Sequence, residues 1–198
     1  MMFRAFASLP LASWILILCT VPSLAASATS QVPDALKEGL VRFALATGEL
    51  SPVERLSEQL KGESAEFLRA QVLMGTGRTA EGVEALKHVA EGQYHRAEAA
   101  LLLGRYWAAQ GSIPETRQWF EHAIRIGFGE TRQEAGYRLA ELELRLGRSE
   151  KAGQVLAKME AGFWAANGYL NLSSEYARSD LNPTRALVAL RVAMAMAE

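Results

Sequence analysis

The sequence predicts an all-α fold, a stack of about four to five antiparallel helix hairpins. Three observations carry this. Small residues, Ala70, Gly104, Ala140 and Ser174, recur at steps of 34, 36 and 34 residues. Seven positions after each lies a turn: Gly77, Gly111, Gly147 and, degenerately, Leu181. Beyond each turn come a short residue (Gly82, Thr116, Ala152, Ala186) and then a bulky apolar one (Leu86, Phe120, Leu156, Leu190). A fixed period of this size means stacked copies of one supersecondary unit.

The first thirty residues stand apart. Arg4 is the only charge before Asp34, and an apolar run extends from Leu9 to Val21. Pro22 and the small residues Ser23–Ala28 follow. A weakly positive start, a short apolar run and a small-x-small site predict a signal peptide over 1–25, cut after Ala25. An uncleaved anchor is the alternative, because no charge interrupts 5–33. Cys19, the single thiol, follows the large Leu18, which argues against lipidation. The expected location is periplasmic or exported, or anchored in the inner membrane facing the periplasm.

Residues 26–33 read as a linker, and 34–198 as the repeat domain. Its hairpins are expected at about 34–61, 63–92, 97–128, 131–161 and 165–198. In the first, Asp34 caps a helix whose apolar stripe is Leu36, Leu40, Phe43, Ala44 and Leu50. Gly48 ends it, and Ser51-Pro52-Val53-Glu54 opens the next with a capping box. Thr79, Ser112 with Glu115, Ser149 and Asn182-Pro183 start the second helices of the later hairpins. No stretch alternates long enough to read as a strand. The small columns allow the two helices of a hairpin to approach closely. The bulky column fills space against the next hairpin, at about 1.5–3 kcal/mol per buried side chain.

Composition excludes several functions. The 198 residues are 49% hydrophobic and 22% charged, with a net charge of −1. The balance becomes −2 once Arg4 is removed, so no basic excess attracts nucleic acid. No serine sits in a nucleophile-elbow pattern, and Gly75-Thr76-Gly77-Arg78 lacks the lysine of a phosphate loop. His88, His95 and His122 lack metal-ligand spacing. No enzyme activity, cofactor or metal is expected. Trp107 reads as core, Trp119 as lying on the outer face or between repeats, and Phe163-Trp164 as core before a binding hot spot.

The columns resemble the tetratricopeptide repeat. The best copy, Ala97–Phe128, shows Leu103-Gly104, Trp107, Gly111, Phe120 and Ala123 in the family's order. Ala70, Leu73, Gly77, Leu86 and Val89 repeat it, as do Ala140, Gly147, Ala152, Leu156 and Met159. Glu143 and Ala177 replace the bulky residue that Leu73 and Trp107 provide. Sel1-like repeats are the second choice. The resemblance implies a right-handed superhelix whose first helices line a concave groove. Side chains beside the small columns are then the candidate partner-binding set: Phe67, Gln71, Met74, Leu101, Arg105, Tyr137, Glu141, Asn171, Glu175 and Arg178, with Ala108 and Leu144 among them. The lysine and asparagine set that clamps a C-terminal carboxylate in some members is absent.

The function expected from this is a protein–protein interaction scaffold or assembly factor of the bacterial envelope, holding a peptide or protein segment in the groove. The alternatives are a self-associating structural protein, using an uncapped last hairpin with Val192, Met194 and Met196, and a polysaccharide-binding accessory.

Overall fold

A computed structural model describes residues 33–179 and 181–197. The signal peptide, Cys19 and all but the last residue of the linker lie outside them. Within the described residues the chain is helix and turn with no strand. The helices are α1 (Asp34–Thr47), α2 (Glu54–Glu58), α3 (Ala65–Gly75), α4 (Thr79–Glu91) and α5 (Arg96–Ala109). They continue as α6 (Ile113–Ile126), α7 (Gly129–Arg145), α8 (Ser149–Leu156), α9 (Phe163–Arg178) and α10 (Pro183–Met196). Consecutive pairs form five hairpins, and each first helix also packs on the hairpin before it.

The turn positions behave as their chemistry dictates. Gly77, Gly111 and Gly147 are left-handed, at φ of 87°, 74° and 67°. Leu181 follows them at φ 46° despite its side chain. That conformation costs a leucine about 1–2 kcal/mol. Leu181→Gly is therefore expected to stabilise the chain by about 1 kcal/mol, seen as a melting temperature roughly 2–4 °C higher.

Packing follows the columns through the middle of the stack. Ala70, Leu86, Ala99 and Leu103 share one apolar cluster, and Ala100, Phe120, Ala135 and Leu139 share the next. Gly104 is small for a specific reason: a Cβ there would lie 2.4 Å from Cδ1 of Phe120. Gly168 likewise leaves room for Leu156 of the preceding hairpin, whose Cδ2 would be 2.3 Å from a Cβ.

Both ends depart from expectation. In α1 the buried residues are Lys37, Val41 and Ala44, while Leu36, Leu40 and Phe43 face outward. The partner helix α2 spans five residues and cannot cover a full stripe. It begins at Glu54 without a side-chain cap, so the Ser51 capping box does not form. Asp34 is the first helical residue rather than the cap, a place taken by Pro33. Ser112 donates to the Glu115 carboxylate instead of capping the backbone. Asn182 does cap α10, accepting from the Arg185 amide at 3.0 Å.

The last hairpin is out of register by one residue. Ser174 is exposed, and it is the Ser173 hydroxyl that faces α10, donating to the Ala186 carbonyl at 2.8 Å. The turn carries the extra residue. Its closing bond runs from Asn182 N to Tyr176 O, six residues back, where Ser112 reaches Trp107 and Arg148 reaches Glu143 over five. Tyr176, not Ala177, therefore occupies the bulky column, and it is buried. Leu190 keeps its place in the column but is exposed, because among the described residues no further hairpin covers it.

Candidate functional site

The first helices α5, α7 and α9 line one side of the stack. Between α5 and α7 a groove of 230 Å³ is bordered by Arg105, Ala108, Arg138, Glu141, Leu142 and Arg145, with Thr116 and Phe120 as its floor. Between α7 and α9 a second, of 320 Å³, is bordered by Glu141, Leu144, Arg145, Asn171, Ser174, Glu175 and Arg178. Glu141 and Arg145 line both, so the two form one trough across three helices.

The register found above explains which side chains face it. Counted from the small column at Ala140, the trough is lined by Arg138, Glu141, Leu142 and Arg145. Counted from Ser173, the same offsets are Asn171, Ser174, Glu175 and Arg178. Arg105, Glu141, Asn171, Glu175 and Arg178 of the predicted set thus border the trough, as do Ala108 and Leu144.

Others of the set do not. Phe67 is buried, its ring stacked on His95 at 4.8 Å and 8°. Leu101 is buried against Ala135 and Leu139. Tyr137 is half-buried, 5.3 Å from the Trp164 ring, and its hydroxyl accepts from Asn171 Nδ2 at 3.2 Å. All three lie three residues before a small column, a position that meets the next first helix rather than solvent. Gln71 and Met74 are half-buried at the N-terminal end of the row and touch neither groove. Met74 packs on the cluster around Leu86. Arg138, Leu142, Arg145 and Ser174 were missing from the predicted set. For Ser174 the signal was the register, which the sequence places one residue off in α9; the three α7 residues carried none.

Charges in the trough are largely matched. Arg105 pairs with Glu134, which also lies 3.5 Å from Arg138. Arg138 is 3.4 Å from Glu141, and Arg145 reaches Glu141 at 2.8 Å. In α9, Ser179 and then Arg178 donate to Glu175 and hold its carboxyl below the usual range. The arrangement offers amide, hydroxyl and guanidinium groups beside Leu142 and Leu144, and no nucleophile–base pair.

A second concavity lies on the opposite side, between the second helices α6 and α8 with α7 beneath. It measures 500 Å³ and is lined by Arg117, Arg125, Arg132, Lys151 and Lys158 against Glu121 and Glu143. Arg117 is held by the buried Glu143, at 2.9 Å through Nε. Among the described residues, Arg132, Lys151 and Lys158 have no acid within ion-pair distance.

Among the described residues no group of His, Cys, Asp and Glu could hold a metal, and no helix is long and apolar enough to cross a membrane. Trp107 and Trp119 are half-buried, Trp119 packing on two adjacent clusters. Phe163 corrects the expectation of core packing, being exposed at the start of α9 with Trp164 edge-on at 5.2 Å.

Titration of these groups has one sign. Burial, with Arg125 and Arg96 nearby, pushes the His122 imidazole below its ordinary value of 6.5. Hydrogen bonds hold Glu81, Glu115 and Glu175 below the carboxylate range. In each case the unfolded chain binds protons first as pH falls, so stability is lost on acidification. Melting temperature is expected to fall below about pH 6.5 and again through the carboxylate range. His122→Gln should remove only the first step, as followed by circular dichroism.

Solved structures of similar shape identify the architecture. A Podosopora anserina chain described as a putative kinesin light chain, with nearly identical TPR-like repeats, superposes at TM-score 0.58 and 18% identity, over 83% of this chain and 97% of its own. MamA MSR-1 superposes at 0.54 and 13%, over 82% and 95%. MamA AMB-1 gives 0.56 and 14%, over 81% and 96%. The chain has the tetratricopeptide-like repeat fold. No family model matches the sequence, and no curated protein does.

Proposed function

We propose that this chain is an exported interaction scaffold or assembly factor of the bacterial envelope, holding a polypeptide segment in the trough over α5, α7 and α9. The continuity of that trough carries the reading. Glu141 and Arg145 border both halves, so a segment lying along them would meet α5, α7 and α9 in turn. Apolar anchors with ordered polar groups beside them are what a peptide groove requires. The leader before Asp34, with Arg4 as its single charge ahead of an apolar run, supports export.

Photo-crosslinkers placed at Leu144 and Ser174 in living cells test this. Each is expected to trap the same partner, and Arg145→Glu with Arg178→Glu to abolish the adduct while the melting temperature holds. Capture from the α6–α8 side alone, or an adduct that the double variant leaves intact, would overturn it. Fractionation of cells tests the location separately, with the chain expected in the periplasmic or inner-membrane fraction.

The size and charge of the cleft between α6 and α8 favour a second reading. It is larger than either half of the trough, and its unpaired bases suit an acidic segment. Lys151→Glu with Lys158→Glu would then remove the partner instead.

A further inference from the structure

The two ends of the stack carry matching halves of the interface that joins its hairpins. Inside the chain, the second helices α4, α6 and α8 each project a bulky residue that the next first helix receives. Leu86 packs on Ala99 and Leu103. Phe120 packs on Ala135 and Leu139. Leu156 packs on Gly168 and Leu172. In these three junctions the receiver is a small residue followed four positions later by leucine, ending just before the small column at Gly104, Ala140 or Ser173, whereas at the α2–α3 junction Ala65 is followed by Arg69.

Helix α1 repeats this receiver. Its own small-column residue is Ala44, buried against Val53 and Leu60. Gly39 and Phe43 therefore stand five and one before it, as Gly168 and Leu172 stand before Ser173. Among the described residues no hairpin covers them: a Cβ at Gly39 would meet nothing within 4 Å, and Phe43 is 68% exposed. At the other end, α10 repeats the projecting face. Leu187, Leu190 and Met194 occupy the positions that Val83, Leu86 and Ala90 hold in α4. The α4 residues are 5, 0 and 1% exposed, whereas the α10 residues are 51, 38 and 66% exposed. Leu170 and Phe163 extend that face into a groove of 450 Å³. Charge does not oppose contact. Among its described residues α10 carries only the bases Arg185 and Arg191, and α1 exposes two acids, Asp34 and Glu38, to one base, Arg42.

We propose that copies of this chain stack head to tail, α10 of one packing on α1 of the next, with Leu190 seated over Gly39 and Phe43 beside it. The contact continues the inter-hairpin packing across the molecular boundary. It is heterologous and leaves a free face at each end, so it propagates rather than closing in a pair. It does not depend on what the trough binds.

Sedimentation of the full-length chain in mild detergent, from low micromolar to several hundred micromolar, tests this. The weight-average mass is expected to rise with concentration past the dimer. Phe43→Lys and Leu190→Lys, both at exposed positions, should each remain monomeric with unchanged melting temperature. Mixing the two variants is decisive. The intact α10 of the first fits the intact α1 of the second, so the mixture should give a dimer of twice the mass and nothing larger. A wild-type monomer at every concentration would overturn the proposal, including the case in which residues 1–32 occupy the α1 face. So would association that neither variant abolishes, or a mixture that stays monomeric.

Discussion

Phe120→Ala is expected to lower the free energy of unfolding by about 3–5 kcal/mol. The ring is among the largest fully buried side chains, and it fills the crossing between α5 and α6 against Gly104. It also joins α7, through Ala135 and Leu139. Its loss opens a cavity at the junction of three helices in the middle of the array. The surrounding residues are poorly able to collapse into it, since Ala100, Ala123 and Ala135 have no side-chain reach. Chemical denaturation monitored by far-ultraviolet circular dichroism measures the change. A loss below about 1 kcal/mol would show that the site relaxes and that the columns matter less than their packing indicates. Gly104→Ala should destabilise the same crossing from the other side, because its Cβ and the ring cannot share the space.

The second large effect is electrostatic. Glu143 is nearly inaccessible, with its Oε1 accepting from Arg117 and its Oε2 making no hydrogen bond, although Arg148 lies 3.6 Å away. Arg117→Ala leaves that carboxylate with only the more distant guanidinium. The expected cost is about 2–3 kcal/mol, below the full penalty for a severed buried pair because Arg117 is partly exposed. Glu143→Leu alone should cost less, and Arg117→Met with Glu143→Leu should return close to the wild-type value. A double-mutant cycle measures the coupling. Additive losses would mean that the pair contributes no coupling between α6 and α7.

The fold was legible because the middle hairpins obey one spacing. Ala70, Gly104 and Ala140 recur at steps of 34 and 36 residues, and the turn glycines report the helix ends without any tertiary information. The ends were not legible for a physical reason: the periodic pattern records what a residue would face in a full stack, not whether the neighbour is there. Leu36, Leu40, Phe43 and Leu190 read as core for this reason, yet face outward. Ser174 misled because Ser173 is equally small, and only the turn geometry separates them. The same ambiguity blurred the trough. Phe67, Leu101 and Tyr137 lie on the side of their helices that points toward the groove in a single hairpin. In the stack, the following first helix covers them. Trough residues such as Arg138 and Arg145 carry no distinguishing periodicity, since charged side chains cover any exposed helical face.

The chain of alternating guanidinium and carboxylate groups from Arg105 through Glu134, Arg138 and Glu141 to Arg145 has a consequence for how a complex would respond to ionic strength. A ligand entering there displaces few counterions, because the host groups already neutralise one another. Its affinity should stay nearly flat as sodium chloride is raised. The cleft holding Lys151, Lys158 and Arg132 has no such internal compensation, and a complex formed there weakens as the Debye length shortens. A salt titration of any isolated complex therefore reports which surface is engaged before a single residue is altered.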